Sequence, residues 1–92
     1  MGIFDKLKDV NEMRKQAKQI ELVLAGEEVM GKSSGEKIKI TMDGNQKVKS
    51  VEVSADIVGD KGEIARHIRT ALEDLVNKHK KLLQQKFGSM MQ

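Results

Sequence analysis

Over residues 3–24 the apolar positions recur at the interval of a helix turn. Ile3, Val10, Ala17 and Leu24 are spaced by heptads, with Met13 and Ile20 between them and Lys6 as the one exception. Leu7 and Val23 widen the stripe, and Gly26 follows as a stop signal. This pattern predicts a helix. The period then changes. Lys37-Ile38-Lys39-Ile40-Thr41-Met42 alternates strictly, as in a strand with one buried face. Asp43-Gly44 is a tight-turn signal, and Val48-Lys49-Ser50-Val51-Glu52-Val53 follows as the partner strand of a hairpin. Glu28-Val29-Met30-Gly31-Lys32 reads as a third strand, turned into the next by Ser33-Ser34-Gly35.

Asp60-Lys61-Gly62-Glu63 opens the last element, with Asp60 placed to cap it and Glu63 three residues on, as in a capping box. Ile64, Ile68, Ala71, Leu75 and Leu82 then recur at helical spacing. A second stripe, Ala65, Leu72, Val76, Leu83 and Phe87, lies beside them. The helix should end at Gly88-Ser89, leaving residues 89–92 as a frayed tail. The chain is thus expected to form one α+β domain over residues 1–92, of order α-β-β-β-α, with a three-stranded antiparallel sheet packed by two helices. The expected core is Ile20, Leu24, Ile38, Ile40, Met42, Val51, Val53, Ile64, Ile68, Leu72 and Leu75.

Element lengths point to a homodimer. A helix over residues 61–87 is roughly 40 Å long, whereas six- or seven-residue strands span about 20–23 Å. About half of the helix overhangs the sheet, and the overhang still carries Leu82, Leu83 and Phe87. The first helix has a heptad stripe that only a copy of itself matches. Exposed stripes of this length mark an interface, and a two-fold dimer with protruding helical arms is the commonest solution. The alternative is that the two helices fold back on one another within the monomer.

Composition narrows the function classes. With two aromatic residues, Phe4 and Phe87, in 92, the core must be built from Ile, Leu, Val and Met, and a core of that size is marginal alone. The absence of cysteine excludes disulfides and thiolate metal sites and suits a reducing cytosol. No apolar run approaches a membrane span, and Asp5, Lys6, Lys8 and Asp9 break up any signal-like stretch. The expected location is cytoplasmic. Residues 2–8 begin an amphipathic helix that could suit a membrane surface, but its apolar face is narrow and acids are numerous, so no membrane partner is expected.

The net charge of +3 is unevenly spread. Residues 61–92 hold seven basic side chains against three acidic ones, and no acid follows Asn77. Lys78, Lys80, Lys81 and Lys86 form a basic run near the end of the last helix, where cations also favour the helix dipole. Lys6, Lys8, Arg14, Lys15 and Lys18 make the first helix basic, partly offset by Asp5, Asp9, Glu12 and Glu21. Paired by a two-fold, such patches would neutralise phosphates on duplex DNA. No aromatic is placed to stack single-stranded bases.

No catalytic constellation is found. Residues 26–33 match the phosphate-loop pattern G-x-x-x-x-G-K-[ST] letter for letter. That loop needs a strand before it and a helix after it, and here the order is reversed, so the match reads as coincidence. His67 and His79 lie about 18 Å apart on one helix, too far to share a metal, and are expected at the surface or an interface. Ser33, Ser34, Ser50 and Ser54 have no recognisable base.

The chain resembles the YbaB/EbfC family of bacterial nucleoid-associated proteins. The resemblance rests on Met13-Arg14-Lys15-Gln16-Ala17-Lys18-Gln19-Ile20, Val29-Met30-Gly31-Lys32-Ser33-Ser34-Gly35, Ile38-Lys39-Ile40-Thr41-Met42-Asp43-Gly44, Val48-Lys49-Ser50-Val51-Glu52-Val53 and Ile68-Arg69-Thr70-Ala71-Leu72-Glu73-Asp74-Leu75. It implies a homodimer that binds double-stranded DNA through helical arms in the nucleoid, with no cofactor, no small-molecule substrate and no enzymatic activity. By that resemblance Lys6, Lys8, Arg14, Lys15 and Lys18, with Lys78, Lys80, Lys81 and Lys86, are the expected DNA contacts. The alternative is a dimeric protein-interaction module whose lysines only keep it dissolved.

Overall fold

A computed structural model describes the backbone of residues 3–88 and the side chains of residues 10–88. The expected frayed tail at 89–92, and the side chains of Lys6 and Lys8, lie outside the described residues. Five elements follow in order: α1 Ile3–Ala25, β1 Glu28–Lys32, β2 Ile38–Asp43, β3 Val48–Val53 and α2 Lys61–Phe87, with short 3-10 turns at Ser34–Glu36 and Ala55–Ile57. The strands form one antiparallel sheet in the order β1-β2-β3.

The sheet's apolar face follows from its register. Ile38 and Ile40 of β2 sit opposite Val53 and Val51 of β3. The spacing from Val48 to Val51 is three, which would put Val48 on the other face of a regular strand. A bulge between the Thr41 and Met42 pairings absorbs the extra residue, so Val48 sits opposite Met42 and stays on the apolar side. α2 crosses that face over β1 and β2. The core is therefore Val29, Ile38, Ile40, Met42, Ile57, Ala71 and Leu75, flanked by half-buried Ile64 and Leu82.

Two glycines are dictated by close approach. A Cβ on Gly31 would lie 2.3 Å from the Ala71 carbonyl oxygen and 2.5 Å from Leu75 Cβ, so α2 can settle on β1 only where β1 has no side chain. Gly44 meets the end of α1 in the same way, with 2.6 Å from a Cβ to the Leu24 carbonyl oxygen. Its N–H donates to that oxygen at 2.9 Å. Gly44 was expected as the pivot of a tight hairpin turn. Instead the turn is built on Asp43, whose Oδ1 accepts from Asn45 N–H (2.8 Å) and Lys47 N–H (3.0 Å), and the left-handed residue is Gln46, at φ 66°.

Both histidines were expected at the surface or an interface, and both are buried. His67 Nδ1 lies 2.8 Å from Ser33 Oγ, just after β1. His79 Nε2 donates to the Gly44 carbonyl, just after β2, at 2.8 Å. Three helical turns separate them, about the length of a strand, so they fasten α2 at opposite ends of the sheet. Asp60 caps α2 as expected, accepting from Glu63 N–H at 3.1 Å, but the Glu63 carboxylate turns to Arg66 instead of closing the box.

Four expected core residues are exposed: Val51, Val53, Ile68 and Leu72. Their spacing does place them on apolar faces. α2 sits over β1 and β2, however, and leaves the β3 part of the sheet uncovered. Ile20, also assigned to the core, is only half-buried. α1 leaves the sheet as an arm, with side chains exposed from residue 10 to 23 apart from Ile20. The molecule measures 64 × 23 × 20 Å, and its radius of gyration of 18.6 Å exceeds the roughly 12 Å of a compact chain of this length.

Candidate nucleic-acid interface

The α1 arm carries Arg14, Lys15 and Lys18, all exposed. At 100° per residue they fall, with Asn11 among them, within an arc of about 100°. Glu12 lies outside that arc and Glu21 borders it, so the helix separates charges that alternate in sequence. Among the described residues none of the three cations forms an ion pair. Val10, Met13, Ala17, Ile20 and Leu24 occupy a different face of the same helix.

The lysine run near the end of α2 does not form one patch. Lys78 faces β1, where its Nζ donates to the Met30 carbonyl at 3.0 Å and meets Asp74 Oδ2 at 2.9 Å. Lys86 pairs with Glu27 at 2.7 Å, tying the far end of α2 to the turn after α1. Lys80 and Lys81 are exposed and have no ion pair among the described residues. His79, between Lys78 and Lys80, points into the protein. Four consecutive residues of a helix face four directions, which is why a basic run in sequence is not a basic patch in space.

Electrostatics show which charges are engaged. The Asp74 carboxyl is held below the usual carboxylate value, chiefly by the Lys32 backbone N–H and then by Lys78. Glu63 is lowered by its bond to Arg66, and Glu36 by its bond to Lys32. These acids are satisfied within the fold. No group of His, Cys, Asp and Glu among the described residues is arranged to hold a metal ion. No helix of the described residues is long and apolar enough to cross a membrane.

The phosphate-loop match is a turn followed by β1. The backbone donors at its Lys-Ser end are committed: Lys32 N–H to Asp74, and Ser33 N–H to the Ile38 carbonyl at 3.0 Å. Ser33 Oγ is itself buried between Ile38 N–H and His67. As a strand, residues 28–32 turn successive N–H groups to opposite sides, so they do not converge on a phosphate.

A second surface was not foreseen as exposed. Val48, Val51 and Val53 form a floor beside α2, and Ile68, Leu72 and Val76 form the adjoining wall, all at least 38% exposed. A groove of about 450 Å³ runs along that wall, lined by Arg69, Leu72, Glu73, Val76 and Asn77. The sequence pattern alone places four of them, Val51, Val53, Ile68 and Leu72, in the core. Only the lateral position of α2 on the sheet brings them out.

The fold recurs in a solved structure, an uncharacterized protein from Helicobacter pylori. The match has a TM-score of 0.79 over 100% of this chain and 99% of that one, at 16% identity. In sequence the chain is 34% identical over 87 residues to a nucleoid-associated protein of Hahella chejuensis, covering 94% of this chain and 81% of that one. It is 31% identical over 75 residues to nucleoid-associated protein Npun_F0448 of Nostoc punctiforme, covering 80% of this chain and 65% of that one. Residues 1–92 match the family profile throughout, so the chain belongs to the YbaB/EbfC DNA-binding family.

Proposed function

We propose that this protein is a nucleoid-associated, non-enzymatic DNA-binding protein that grips duplex DNA as a homodimer, with the α1 arms as its principal contacts. The observation that carries the reading is the strip of Arg14, Lys15 and Lys18 on an arm that leaves the sheet, with no acid among the described residues engaging it. Lys6 and Lys8 continue α1 toward its start. Lys80 and Lys81 supply a second, smaller contact. Lys78 and Lys86, held by Asp74 and Glu27, contribute less. Phosphate contacts of this type position a protein on DNA without specifying a sequence.

The β3–α2 face supports the homodimer. An uncovered floor of valines beside an uncovered wall of Ile68, Leu72 and Val76 is the surface a second copy would cover, and a two-fold places two arms on one assembly. A cytoplasmic, nucleoid location accords with this role. The runner-up, a protein-interaction module, draws on Val10, Met13 and Val23, which are exposed along the arm.

Fluorescence anisotropy with a labelled duplex of about 20 base pairs, repeated across a salt series, tests the reading. Binding should weaken steeply as salt rises. Changing Arg14, Lys15 and Lys18 to Gln should flatten the slope by about three contacts per arm engaged and weaken binding similarly on unrelated sequences. Binding that is absent at low salt, or indifferent to the triple change, would favour the protein-interaction module.

A further inference from the structure

The two edges of the sheet are treated differently. Along an antiparallel strand, peptide groups face the neighbour and the outside alternately. The bond from Ser33 N–H to the Ile38 carbonyl sets the phase on β1. Val29 and Gly31 turn toward β2, while Glu28, Met30 and Lys32 turn outward. α2 side chains meet one peptide group each of Met30 and Lys32, at the centre and the end of the strand. Lys32 N–H donates to Asp74 Oδ2 at 2.9 Å, and Lys78 Nζ donates to the Met30 carbonyl at 3.0 Å. The two α2 side chains also hold each other.

The β3 edge has no such cover. The bond from Ser54 N–H to the Lys37 carbonyl, at 2.7 Å, sets the phase there and turns the peptide groups of Val51 and Val53 outward. No α2 side chain of the described residues bonds to them. An uncovered row of peptide groups is a template for pairing with another chain, and natural proteins manage such edges with charged side chains or covering elements.

We infer that Asp74 and Lys78 seal β1 against strand pairing with a second copy of this chain, confining self-association to the β3–α2 side. Lys78 is then chiefly a positioning residue of the sheet edge, which is why it contributes less to phosphate contact. The inference rests on the homodimer reading only for the side left open. With the seal removed, a protomer offers two different association surfaces, and a head-to-tail contact that does not close grows into chains.

Amide exchange of the full-length protein, followed by NMR, tests the seal directly. The Lys32 amide should exchange at least about a hundredfold more slowly than in an unstructured chain, although it lies on a sheet edge. In Asp74→Ala it should approach the unstructured rate, while the Ser33 amide, bonded to β2, stays protected. A Lys32 amide that exchanges at the unstructured rate in the unaltered protein would overturn the seal. Sedimentation velocity tests the consequence. Asp74→Ala/Lys78→Met should form species larger than the unaltered protein, growing with concentration, whereas Asp74→Asn, which keeps an acceptor, should not. A folded double variant that sediments like the unaltered protein overturns the inference. If the double variant does not fold, Lys78→Met alone is read by the same criterion. An unaltered protein that sediments as a monomer refutes the homodimer, while the Lys32 amide still reports on the seal.

Discussion

At Gly31 a single missing Cβ lets α2 lie against β1, because the Ala71 carbonyl and the Leu75 side chain fill the space that a methyl group would need. Gly31→Ala should push helix and sheet apart at the centre of the core and cost about 1–3 kcal/mol, read as a lower midpoint in urea denaturation. Gly62, in the first turn of α2, is the opposite case. A Cβ there would meet only Asp60 Oδ1, at 3.6 Å, so Gly62→Ala should stabilise by about 0.5–1 kcal/mol in the same measurement. Asp74 supplies a pH signature. Its folded value is depressed, so its contribution to stability is present above the unfolded value of about 3.9 and is lost as pH falls through the folded value. The difference in Tm between the unaltered protein and Asp74→Asn should therefore be largest near neutral pH and close below about pH 4. A difference that persists unchanged into acid would mean the carboxylate charge contributes nothing.

Among the elements, α2 does three jobs on different faces. One face, with Ala71 and Leu75, fills the core, and His67 and His79 fasten its ends to the sheet. A second flank, with Asp74 and Lys78, meets the β1 edge. The third, with Ile68, Leu72 and Val76, stands beside the valines of β3. Leu72 is 44% exposed, so Leu72→Asp should leave the protomer's fold and circular dichroism nearly unchanged while shifting sedimentation from dimer toward monomer. A Leu72→Asp protein that stays dimeric would move the interface elsewhere. The helical periods of α1 and α2 and the alternation of β2 were legible because each depends on neighbours in sequence. The inward turn of His67 and His79 was not, because it depends on Ser33 and Gly44 arriving from 34 and 35 residues away. The pairing of Asp74 with Lys78 had a signal, an acid four residues before a lysine, but nothing local reveals that a strand edge lies beneath it.

On the scale of the whole molecule, the proposed function draws on the 64 Å length. An arm that leaves the sheet holds its charges away from the acids of the hairpin, and a two-fold would present two such arms to one duplex. The salt series proposed above reads the assembly at this scale, since each arm engaged adds its own released counterions to the slope. The sequence by itself determined the order α-β-β-β-α, the apolar face of each element and the sign of the charge on the first helix. These depend on the periods of 3.6 and 2, which any short segment carries within itself. Only the tertiary structure decided that α2 lies over β1 and β2 and leaves β3 bare. It also decided that Lys78 and Lys86 are spent on internal partners while Arg14, Lys15 and Lys18 have no ion pair among the described residues. Such choices depend on which surfaces meet, and a close approach at Gly31 or a carbonyl left outward at Met30 is a property of two elements together.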